Sequence, residues 1–216
     1  MMMNLFSTFD PCTGFMSLNW TSSLIFIVMF NQNYWIKMNN VMNLILKIYT
    51  SMKEELILIM PNSGSSIMFL SISVFILINN LMGLIPYIFT STSHLTFSLT
   101  LALPLWTAFM IYGWMNKTNL MFIHLVPSGT PSSLMPFMVL IETISNLIRP
   151  GSLAVRLTSN MIAGHLLMAL LGDSCSLMMT MILIIVFMML MLFETAVSLI
   201  QAYVFMILTT LYSSEI

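Results

Sequence analysis

The chain has 216 residues, of which 59% are hydrophobic and 6% charged, and its mean hydropathy is +0.99. A soluble domain carries about 25% charged residues, so six Lys+Arg and seven Asp+Glu cannot coat a water-facing surface of this size, which leaves an integral membrane protein. The net charge of −1 offers no basic footprint, and nucleic-acid binding is excluded.

The first ten residues, MMMNLFSTFD, hold no Lys or Arg, so a signal-peptide n-region and an Arg-rich transit pattern are both missing. With 25 methionines, this suggests synthesis inside an organelle, a mitochondrial genome being the obvious source. Leu18 to Phe30 reads as a short span. From Trp35 to Met60, Met38, Met42, Ile45, Ile48, Met52, Leu56 and Ile59 recur at helical spacing opposite Lys37, Asn40, Asn43, Lys47, Lys53 and Glu54, which predicts an amphipathic interfacial helix over 35–60. Residues 66–87 and 96–115 are uncharged and long enough to span. The lysines before the first and Lys117 after the second then share one side, the matrix or cytoplasm by the positive-inside rule. Asn116 to Thr130 is a connecting loop.

The remainder divides at Gly172 to Ser176 into 134–171 and 177–212. The second of these, if helical, extends ~54 Å against a hydrocarbon core of ~30 Å. FETAVS, around Glu194, holds no Gly, Pro or Asn to turn the chain, so one long inclined helix is expected. The first has the same excess length, with Arg149, Pro150 and Gly151 offering a kink or break. The fold class is therefore all-α: about five membrane helices plus one interfacial helix in a single membrane domain over 1–216, the last two helices long and steeply inclined.

A cation at the centre of a membrane helix costs about 2.5–3.5 kcal/mol on insertion scales and is functional by default. Glu142, Arg149 and Arg156 follow at intervals of seven, nearly on one helical face, with Asn160 one turn beyond. Glu194 and Gln201 are again seven apart with Ser198 between, and His165 points to the other side of its helix. Arg156 has the weakest structural excuse and is the first candidate. For Arg149 a structural role stands level with a chemical one. Glu142 has the alternative of simply pairing with Arg149, and His165 that of a hydrogen-bonded packing residue. Cys12 and Cys175 have no Cys or His at metal spacing, so no metal site is expected. His94, His124 and His165 lie in different segments without an i, i+4 pair, which counts against the alternative of a respiratory oxidoreductase subunit and against any cofactor.

AVRLTSNMIAGHLL at 154–167, preceded by IETISNLIRPGSL at 141–153, resembles the signature of subunit a of the F-type ATP synthases. LMGLIPYIFT at 81–90, LALPLWTAF at 101–109, HLVPSGTP at 124–131 and QAYVFMILTTLYSSE at 201–215 are similar to the same family. The likeness covers nearly all of the chain beyond residue 75; before residue 60 it is one of pattern only. The resemblance implies a non-catalytic, proton-conducting stator subunit of the mitochondrial inner membrane. Its partners would be the ring of c subunits, the peripheral stalk, small membrane subunits and the lipid bilayer. It implies that Arg156 is the essential arginine facing the ring, with Asn160 and Gln201 as polar companions. His165 and Glu194 fall in the half-channel open to the intermembrane space, and Glu142 in the one open to the matrix. Glu215, beside the end of the last helix, completes the proton-translocation set.

Overall fold

The computed structural model describes residues 5–12, 18–24, 39–60, 63–126, 129–173 and 180–214, which form helices and connecting turns. The α-helices are α1 (Asn40–Ile59), α2 (Ser63–Gly83), α3 (Leu95–Asn116), α4 (Thr118–His124), α5 (Met135–Asp173) and α6 (Thr180–Ser214). Among the described residues, the 3-10 segments Leu5–Phe9 and Leu18–Leu24 precede α1, and Ser91–Ser93 lies between α2 and α3. Among the described residues, α2, α3, α5 and α6 are long and apolar enough to cross a membrane. The expected span at Leu18 to Phe30 opens as the 3-10 segment Leu18–Leu24; residues 25–30 lie outside the described residues. So do 35–38 of the expected interfacial helix and 174–179 of the expected turn between the long helices.

Lipid offers a backbone no hydrogen-bonding partners, so each span must satisfy its polar groups within itself. Hydroxyls inside these spans turn back in the same way, as Ser73, Thr107, Thr158, Thr195 and Thr209 do onto carbonyls one turn earlier. α2 stops at Gly83, short of Tyr87, because Pro86 removes a donor and disfavours helical backbone at Ile85; turns from Leu84 N–H to Leu81 O and from Ile85 N–H to Met82 O close the end.

α5 has 39 residues and α6 has 35, ~58 and ~52 Å of helix. Both exceed the thickness of a bilayer core. α5 runs unbroken through Pro150, whose ring is buried, so the helix absorbs the lost hydrogen bond instead of ending there.

α2 packs most extensively on α6, and α3 on α5. Ile76 of α2, Ala102 and Leu105 of α3, Leu153, Ala154 and Leu157 of α5, and Ala202 and Phe205 of α6 form one core. Leu56 of α1 joins Phe69, Leu70 and Met206 in a second. Only part of the apolar stripe of α1 faces the bundle: Leu56 is buried, whereas Ile45 and Ile48 are exposed. Tyr203 of α6 donates to Glu55 Oε2 at 3.0 Å and ties α1 to the last helix.

Candidate functional site

α5 and α6 run antiparallel and bring three polar places together along their length. In the middle, Arg156 and Gln201 line one cleft with Leu153, Leu157, Val204, Phe205 and Leu208. Arg156 is exposed, and it has no ion pair among the described residues. Its face of α5 is otherwise mostly apolar and uncovered: Val155, Leu167 and Leu170 are exposed, as are Ser159 and Asn160. On α6, Met188, Met189, Leu192, Phe193 and Ile200 are exposed too.

Nine residues along α5, ~13 Å of rise, lies the second place. Glu194 reaches across from α6, 9% exposed, with its carboxylate laid directly on Gly164. A Cβ at Gly164 would overlap that carboxylate, so only glycine leaves the seat open. His165 is adjacent in sequence, half-buried, with its imidazole facing the backbone of Gly83 and meeting the Phe9 ring edge-on at 6.1 Å. His165 Nε2 and Glu194 Oε2 are enclosed, and neither has a hydrogen-bond partner among the described residues.

These two atoms belong to a larger set. Asn80, with both side-chain polar atoms, Thr92 Oγ1 and His94 Nε2 are likewise enclosed without partners. The 3-10 segment Ser91–Ser93, fully buried, packs against α5, α2 and α3 at this end, and the Thr90 methyl lies against Gly83. Buried polar atoms nearly always find a partner, so this unpartnered group stands out. The sequence alone gives no reason to single out Gly164 or Thr92, and it offers His94 only as a lone histidine without a ligand partner. The pair Asn79–Asn80 in the middle of an apolar span is the signal that pointed there, since such residues face a bundle interior.

The third place lies toward the opposite end. Glu142 and Arg149 approach at 3.9 Å, and the Arg149 guanidinium sits 5.1 Å from the centre of the Tyr212 ring of α6. Both line a groove of about 560 Å³ with His124, Asn146 and Trp106. The alternative for Glu142 therefore has a geometric basis, as the ion pair is formed. Glu142 stands ~21 Å of rise from Arg156. Asn160 is exposed on the Arg156 face, and Glu215 lies outside the described residues. Among the described residues no three His, Cys, Asp or Glu side chains are placed to hold a metal ion.

Residues 2–214 match the family model described as ATP synthase A chain. The chain is 56% identical to ATP synthase subunit a of Drosophila simulans, 54% to that of Locusta migratoria and 53% to that of Aedes aegypti, covering all of both chains in each case. A helical membrane protein with an arginine on the open face of a 39-residue helix, matched end to end in this way, belongs to the ATP synthase A chain family.

Proposed function

We propose that this chain is the proton-conducting stator subunit of an F-type ATP synthase, working in the mitochondrial inner membrane and encoded in the mitochondrial genome. Its partners are the ring of c subunits, the peripheral stalk and small membrane subunits. It makes and breaks no bond of ATP. The observation that carries this reading is the exposed Arg156 on an uncovered apolar face between two separate polar places, Glu194–His165 and Glu142–Arg149. A charge held in hydrocarbon needs a partner surface, and a carboxylate on a rotating ring supplies one.

A proton cannot cross hydrocarbon as an ion, so it enters through water on the Glu194–His165 side and neutralises a ring carboxylate. The neutral site rides through lipid and returns to release its proton toward Glu142. Arg156 favours the ionised carboxylate on arrival and repels a proton leaking straight between the two half-channels. Gln201 and Asn160 are polar companions beside it, and Glu215 belongs to the matrix side. Each proton contributes about 2.3 kcal/mol per 100 mV.

Arg156→Ala tests the reading. ATP synthesis should vanish, and passive proton conductance should rise, in membranes holding equal amounts of assembled complex. Arg156→Lys should rescue poorly, because an ammonium is a more strongly hydrated point charge that loses its proton more readily when buried. Near-normal synthesis by Arg156→Ala would overturn the stator-charge mechanism.

A further inference from the structure

His94 is used by none of the roles above. It occupies the N-cap position of α3, yet its side chain makes no capping hydrogen bond. Its ring stacks on Phe89, centroids 5.2 Å apart at 29°, and tilts against Trp20 at 5.2 Å. Trp20 and Phe89 also meet at 5.7 Å, and Ser22 Oγ donates to Phe89 O at 3.1 Å, so the Leu18–Leu24 segment anchors this three-ring cluster. Inside the cluster, His94 Nε2 is enclosed and without a partner.

A packing histidine has its nitrogens bonded or in solvent, because a buried unpaired donor or acceptor costs ~1–3 kcal/mol. The nitrogen of His94 is instead enclosed without a partner, as are the side-chain polar atoms of Thr92 and Asn80. The Ser91–Ser93 segment packs on α5, and Thr90 touches Gly83, whose backbone faces His165. Thr92 of the Ser91–Ser93 segment and Asn80 of α2 therefore stand on elements packed together and, in the case of Ser91–Ser93, directly on α5, the helix that carries His165.

We propose that His94 is a further proton-relay residue, passing protons from the side of the N-terminal segment to the His165–Glu194 pair. This rests on the proton-path reading above. The neutral imidazole accepts a proton on one ring nitrogen and gives up the proton on the other, so one proton moves and the ring ends neutral. Titratable groups facing the cluster are few. α2 and Leu18–Leu24 carry none, α3 carries Tyr112 near its far end, the turn before Phe89 carries the exposed Tyr87, α5 carries His165 and, at its end, the exposed Asp173, α6 carries Glu194 beyond His165, and the N-terminal segment carries the exposed Asp10, whose carbonyl accepts from Asn19 Nδ2 at 3.5 Å.

The test uses assembled ATP synthase in its own membrane, with proton-driven synthesis measured against pH on the intermembrane side. His94→Phe keeps a stacking ring and removes the proton; His94→Gln keeps hydrogen bonding without titration and serves if the phenylalanine variant fails to assemble. The expected result is a several-fold loss with an altered pH profile, partly restored by added imidazole. A wild-type rate and profile would overturn the proposal, as would a loss that imidazole leaves unrestored with the profile unchanged. Glu194→Gln in parallel separates the two readings: if it too runs at the wild-type rate, the proton path itself is wrongly placed.

Discussion

The Glu194 carboxylate rests on the bare backbone of Gly164, on the facing helix, one residue before His165. Glycine here is needed for space and not for backbone freedom, since Gly164 lies within the continuous helix α5.

Gly164→Ala should therefore displace the carboxylate and slow proton-driven synthesis by about tenfold or more, misplacement of a reacting group by an ångström being worth up to about a hundredfold. Gly151→Ala on the same helix is the control, because a Cβ there meets nothing within 4 Å. Equal activity of the two variants, at equal assembly, would mean that the seat plays no part.

Glu194→Gln and His165→Ala should each slow synthesis without disassembling the complex, as water partly replaces one relay member. Their effects should couple by about 0.5–3 kcal/mol in a double-mutant cycle. Strict additivity of the two free-energy changes would remove the support for a shared half-channel.

The Arg149 guanidinium over Tyr212 predicts a contrast between two substitutions. Tyr212→Phe keeps the ring face and should run near the normal rate. Tyr212→Leu removes a cation–π contact of about 0.5–1 kcal/mol at a partly exposed site, and should slow turnover about two- to fivefold. Were phenylalanine as slow as leucine, the hydroxyl would be the active feature and the stacking irrelevant.

Charge distribution predicts topology. Lys37, Lys47, Lys53, Lys117 and Glu215 should lie toward the matrix and Asp173 toward the intermembrane space. An impermeant thiol reagent applied from one side should therefore label a single cysteine at 117 or at 173, never both. Labelling of both from one side refutes the arrangement.

Some of this was legible before any coordinates. Uncharged apolar runs longer than a bilayer must be helical, because only a helix satisfies its backbone in lipid within one segment. The excess length of the last two segments, and the lone Arg156 among apolar neighbours, follow from counting residues. The resemblance named a function for that arginine. Which polar atoms meet was not legible, since that depends on the register between α5 and α6. A shift of one turn would replace Gly164 opposite Glu194 by a residue with a side chain. The burial of Asn80, Thr92 and His94 likewise depends on how Ser91–Ser93 packs between α2, α3 and α5. Helical periodicity says nothing about such a segment; only the packing of distant helices around it decided that its polar atoms face inward, where bare hydrocarbon would leave them without partners.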